Sequence, residues 1–263
     1  MNKICLMLIL AIISPVEVKA YGTPYYLAIK SYGCEIDLLL QDYNSKRIGY
    51  DFKTGKDIIE IEQEVGGYIH DFSDNSGEPT KEIDYRDPKS GLYELQVYAH
   101  QEKQYLIYVR GNNELMERFQ IKIIGKLLKG DVHNYDILYS CEAHEKTTAT
   151  KVLDLNVYER EAKAIFNNEN SEINKIMKEV FGNIKKAKKV MKKDSAKAKK
   201  YIETIAEVTE NARKGFLASS GKPMDLSLDY KFDRVNTWEW YRDNVLKYDI
   251  LIIDAKELVK QIK

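Results

Sequence analysis

What this 263-residue chain has little of narrows it first. It holds three cysteines, five prolines, two tryptophans and four histidines. Basic and acidic side chains balance at 41 each, giving a formal net charge of +0 and an isoelectric point near 6.9. No overall field draws such a chain to nucleic acid, which is excluded as an expected partner. Beyond residue 20 no apolar run approaches the roughly 20 residues that a membrane span needs, so the mature chain is expected to have no transmembrane segment.

Catalytic signatures are missing too. Ser219-Ser220-Gly221-Lys222 and Lys53-Thr54-Gly55 imitate two motifs of penicillin-recognising enzymes. Their order is wrong and the middle motif is absent. Residues 215–223 glance at a phosphate loop, but the spacing is one residue too long and Pro223 replaces the hydroxyl that would reach magnesium. No pair among His70, His100, His133 and His144 has zinc-helix spacing. Cys141 and His144 lack further ligands or an orienting group. Asp42-x-Asn44 begins like a calcium loop but has no closing glutamate. Asp71-x-Ser73-x-Asn75 with Glu82 carries glycine at the seventh place instead of the sixth. No catalytic, cofactor-binding or metal-binding residue is assigned.

What is present begins with an address. Lys3, an apolar run over residues 4–13, Pro15 and Val18-Lys19-Ala20 form a secretory signal pattern. Cleavage is expected after Ala20, placing the protein in the periplasm or outside the cell. Cys34 and Cys141 then remain. Each bounds an assigned strand, and an even count in an exported chain permits a disulfide, expected here between these two.

The texture changes near residue 155. Before it, tyrosines and branched residues alternate with polar ones, with strands expected at 25–29, 36–40, 58–61, 92–98, 105–109, 119–124 and 135–139. Asn44-Ser45, Thr54-Gly55, Asn75-Ser76-Gly77, Ser90-Gly91, Gly111-Asn112 and Gly130-Asp131 supply turns. In the run from Glu35 to Lys56, Asp42 and Asn44 suit turns that bond their own backbone, and Gly49 and Gly55 tolerate positive φ. After residue 155 three apolar stripes recur at helical spacing. They are Ile173 to Met191, Ala198 to Phe216 and Tyr241 to Ile262, with Asp194-Ser195 as a cap between the first two. The expected class is α+β in two domains: a signal at 1–20, an antiparallel β-sandwich at 21–150 and a three-helix bundle at 157–263. Residues 142–150 are polar and aperiodic, so the two are expected to be separable there.

Residues 36–42 (IDLLLQD), 90–97 (SGLYELQV) and 105–109 (YLIYV) resemble the bacterial pre-peptidase C-terminal domain family. Residues 125–139 (GKLLKGDVHNYDILY) are similar to the segment that opens such domains, although here it comes last. The resemblance covers roughly residues 25–140. It implies a secreted β-sandwich that accompanies enzymes or surface proteins, and it carries no catalytic residues.

Two surfaces stand out. Trp238, Trp240 and Tyr241 precede the last helix; exposed, they stack on a sugar or a partner, and buried, they anchor the helix. Residues 185–200 hold nine lysines and one aspartate, which suits a solvated helical face or a contact with anionic glycans or lipid headgroups. The leading expectation is a non-catalytic, exported binding or accessory protein that meets cell-envelope glycan or protein. One alternative is an envelope factor that meets protein partners through its helices. Another is an enzyme whose site is assembled from scattered residues.

Overall fold

The computed structural model describes residues 25–32, 36–61, 66–73, 79–166, 171–223, 226 and 235–262. One antiparallel sheet contains β1 (Tyr26–Tyr32), β5 (Gly66–Ser73), β6 (Pro79–Arg86), β8 (Lys103–Asn112) and β9 (Arg118–Leu127), in the spatial order β5-β6-β1-β8-β9. The other contains β2 (Ile36–Gln41), β3 (Arg47–Asp51), β4 (Lys56–Ile59), β7 (Gly91–Ala99), β10 (Val132–Tyr139) and β11 (Thr148–Lys151), in the order β11-β10-β7-β2-β3-β4. Their inner faces share one apolar cluster. Leu27 and Ile29 of β1 and Ile107 and Val109 of β8 meet Leu38 and Leu40 of β2 and Leu95 and Val97 of β7. This is the expected sandwich.

Tyrosines fill much of that core, and their hydroxyls find acceptors. Tyr93 donates to Lys89 O at 2.8 Å, Tyr139 to Asn112 O at 3.0 Å and Tyr85 to Asp42 Oδ2 at 3.3 Å. Apolar rings therefore enter the interior without stranding a buried hydroxyl.

The meander β2-β3-β4 turns as its residues dictate. Asp42 Oδ1 accepts from the amides of Asn44 (2.8 Å) and Lys46 (2.9 Å), and Asp51 Oδ1 from that of Lys53 (2.9 Å). Gly55 adopts φ 68°. Gly111-Asn112, expected as a turn, instead lies within β8. A Cβ on Gly111 would sit 2.4 Å from Tyr26 O and 2.6 Å from the Phe119 ring, so glycine permits the approach of two strands. The turn follows it, with Asn113 Oδ1 accepting from the amides of Leu115 and Glu117. The expected turn at 75–77 lies outside the described residues. Strands β3, β5, β6 and β11 were not expected. β3 and β6 each hold a single alternating pair, Ile48/Tyr50 and Ile83/Tyr85, too short to read as a strand, and β11 reads only Thr-Ala-Thr-Lys.

Five helices are described, not three: α1 (Leu155–Phe166), α2 (Ser171–Val190), α3 (Ser195–Ser219), α4 (Val235–Asn244) and α5 (Leu246–Gln261). Asp154 caps α1 by accepting from the amides of Asn156 and Val157, and Asp194 caps α3 through the amide of Lys197. The third expected stripe is divided at Val245, between α4 and α5. The helices enclose a second apolar cluster that recruits Leu106 of β8 and Ile124 of β9 from the outer face of the five-stranded sheet. Among the described residues no helix is long and apolar enough to cross a membrane.

Candidate functional site

The most concentrated chemistry lies at the seam between sandwich and helices. Lys151 ends β11, and its Nζ contacts Glu161 Oε2 of α1 at 2.6 Å and Asp254 Oδ2 of α5 at 2.8 Å. His133 of β10 brings Nε2 within 2.9 Å of Glu161 Oε1, without an aligned hydrogen bond between them. The Tyr105 hydroxyl bridges His133 Nδ1 (2.6 Å) and the Tyr135 hydroxyl (2.5 Å). Burial pushes the Asp254 carboxyl up to about 7, against the pull of Lys151. Burial alone would lower the Lys151 ammonium, but Asp254 and Glu161 reverse this and hold it above its ordinary value. Burial, aided by Lys151, drives His133 well below its ordinary range, so its imidazole is neutral.

Shifts of this kind mark active sites when a cleft reaches them. Here the exposures of Tyr105, His133, Tyr135, Lys151, Glu161 and Asp254 are at most 4 %. Buried in this way, the cluster acts as a cross-link that ties β10 and β11 to α1 and α5. Gln261 reinforces it, donating to Lys151 O at 2.5 Å and accepting from the Leu153 amide at 3.0 Å.

The accessible polar site is on the outer face of the six-stranded sheet. Leu39 forms the floor of a cleft of about 100 Å³, ringed by Gln41, Arg47, Asp51, Lys53, Glu94 and Gln96. Strand register builds it: Leu39 stands opposite Gln96 on one side and Gly49 on the other. A Cβ on Gly49 would lie 2.1 Å from Leu38 O, so glycine lets β3 close on β2 beneath the cleft, and its φ of 124° belongs to glycine. Arg47 is oriented by Glu60 (2.8 Å) and Asp51 (3.4 Å). Beside Gln96 on the same face, Tyr98 stacks on Phe52 with centroids 5.2 Å apart and meets His100 edge-on at 4.9 Å. The cleft thus offers two amides, carboxylates, a guanidinium and an ammonium next to an aromatic pair.

A second accessible feature is a groove of about 550 Å³ between α3 and α5. Ala206, Ile253, Ala255 and Val259 line it, with Glu203, Glu207 and Glu210 on the α3 side and Lys256, Glu257 and Lys260 on the α5 side.

The residues singled out from sequence fare differently. The expected Cys34–Cys141 bond is corrected: Cys141 is a free thiol, 3.1 Å from Ser90 Oγ. Cys34 itself lies outside the described residues. Tyr241 is fully buried and its hydroxyl donates to Asp249 Oδ2 at 2.5 Å, so it anchors a helix and offers no surface. Trp240 is half-buried, stacked on Phe216 at 5.9 Å with Lys222 Nζ 4.8 Å from its ring. The side chain of Trp238 lies outside the described residues. Of the three, Tyr241 therefore offers no contact surface and Trp240 only part of one. His100 and His144 lie at opposite ends of the six-stranded sheet. Glu161 and Asp254 were missed, although each is a charge set on the apolar side of a helix, which is the available signal.

No family model, no curated protein and no solved structure matches this chain.

Proposed function

We propose that this is an exported, non-catalytic binding protein that holds a hydroxyl-rich ligand, a cell-envelope glycan, on the outer face of its six-stranded sheet. The carrying observation is the cleft over Leu39, where planar amides and charged groups adjoin the Phe52–Tyr98 stack. Sugar hydroxyls need in-plane donors and acceptors, and sugar C–H faces need an aromatic wall. The export reading rests on the expected leader at residues 1–20, which lies outside the described residues. The resemblance of residues 25–140 to pre-peptidase C-terminal domains agrees with an accessory role. In this reading residues 21–150 bear the ligand and residues 157–263 bear further contacts.

Isothermal titration against a panel of soluble oligosaccharides, including cell-wall fragments, tests it. Binding is expected for at least one member, with Gln96→Ala and Tyr98→Ala each weakening it about tenfold, the worth of one lost polar contact or aromatic wall. A flat panel, or variants that bind like the parent, would end this reading. The groove between α3 and α5 favours a second reading, in which a partner's amphipathic helix docks with a basic edge toward Glu203 and Glu207. Ile253→Asp would abolish such a complex and leave glycan binding intact.

A further inference from the structure

Charge is distributed very unevenly over this neutral chain. The α2–α3 hairpin turns at residues 191–194, and its end carries the exposed lysines Lys185, Lys189, Lys192, Lys193, Lys197 and Lys200. Among the described residues none of the six has an ion-pair partner. Several lysines elsewhere are matched, as in Lys30–Glu82, Lys126–Glu102, Lys214–Glu210 and Lys260–Glu257, and no other stretch gathers so many that are not. The one acid in the turn, Asp194, is occupied as the cap of α3.

Helix stability does not explain the placement. The first turns of a helix disfavour cations, because unsatisfied amides leave partial positive charge there. Yet α3 opens Ser-Ala-Lys-Ala-Lys-Lys with no acid in its first turn. Its acids, Glu203, Glu207 and Glu210, come about one to three turns later and line the groove against α5. The hairpin is therefore basic at its end and acidic further along.

We infer that the end of the α2–α3 hairpin is a docking site for an anionic membrane surface, reached from outside the bilayer. The chemistry favours this over nucleic acid. All nine basic residues of the stretch are lysines, which act as hydrated point charges and suit mobile headgroup phosphates, whereas fixed phosphate geometry favours the arginine fork. Of the rings nearby, Tyr201 lies under Lys186 Nζ at 5.7 Å and Phe181 packs against the helical core, so neither presents an open face to stack on bases. The lysines are spread over the end of a hairpin and do not line a channel. This site is separate from the sheet face, and its test does not depend on the glycan reading.

Cosedimentation of the full chain with vesicles decides it. Phosphatidylcholine vesicles containing about a third phosphatidylglycerol should retain the protein at low salt, pure phosphatidylcholine vesicles should not, and molar salt should release it, as screening requires. Replacing Lys189, Lys192, Lys193 and Lys197 by glutamine should weaken retention about tenfold or more, given the contribution of each lysine near such a surface. The same four changed to arginine should bind like the parent. A control with Lys46, Lys56, Lys129 and Lys146 changed to glutamine loses equal charge and should bind normally. The inference is overturned by no retention on anionic vesicles, by equal loss in the control, or by tight binding to duplex DNA without vesicle binding.

Discussion

The two sheets share one core but differ on their outer faces, and the difference is written in their strands. In β8 the run Tyr105-Leu106-Ile107-Tyr108-Val109 is apolar without interruption. Its odd positions enter the sandwich core, while Leu106 and Tyr108 join the core beneath the helices. In β7 and β10 apolar and polar residues alternate, and the outward positions Leu92, Glu94, Asn134, Asp136 and Leu138 are exposed. A continuous apolar strand announces cover on both sides, and an alternating one announces water on one side. The covered sheet became scaffold, and the open sheet kept the cleft over Leu39.

The largest expected effect comes from the seam that fixes which sheet is covered. Lys151→Met leaves Glu161 and Asp254 buried without their cation, and breaking a buried pair this way costs about 3–5 kcal/mol. Denaturant unfolding of the variant should show that loss. A cost under about 1 kcal/mol would mean that the carboxylates are solvated and the seam is not dry.

Next comes the direct comparison of the two outer faces. Leu106→Ala should cost about 2–5 kcal/mol, because its site lies under the helices. Leu138→Ala, on the open sheet with 55 % exposure, should change stability by no more than about 0.5 kcal/mol. Equal effects would erase the distinction between the sheets.

Gly49→Ala should cost about 1–3 kcal/mol, since its φ of 124° strains any side chain and the new Cβ would lie 2.1 Å from Leu38 O. The loss should appear in stability and in glycan affinity together, because Gly49 fixes the approach of β3, which carries Arg47 and Asp51, to β2, which carries Leu39. A variant as stable as the parent would show that β3 can shift, leaving the cleft without a fixed shape.

The smallest effect is a slope with pH. Asp254, raised to about 7 from its ordinary 3.8, keeps a proton in the fold that the unfolded chain gives up. Its contribution is fully present below the ordinary carboxylate value and is lost as pH rises toward about 7. His133 works the other way. Its lowered value makes stability fall as pH drops below about 6.5, where the unfolded imidazole takes up a proton. Both groups face Lys151 of β11 and Glu161 of α1, with Tyr105 and Tyr135 on the sandwich side and Asp131 and Arg160 further out. Asp254→Asn should remove the opposing slope, so that stability between about pH 4 and 6.5 rises more steeply with pH than in the parent. An unchanged profile would show that Asp254 is ionised throughout.

By itself the sequence determined the local pieces. Alternation gave seven of the strands, the 3.6-residue stripe gave the apolar faces of α2 and α3, and Asp42, Asp51 and Asp194 placed turns and a cap through bonds within a few residues. These are short-range effects, legible because cause and consequence lie within one turn or one strand. The tertiary structure decided the rest. Cys141 is left as a free thiol, against the expected disulfide. Helix packing buried Tyr241 and divided the last apolar stripe at Val245. Lys151, Glu161 and Asp254 became one buried cluster across 103 residues of chain between its extremes. A charge on an apolar stripe is visible in a sequence, but its partner is chosen only when distant segments are brought within a few ångströms and water is excluded between them.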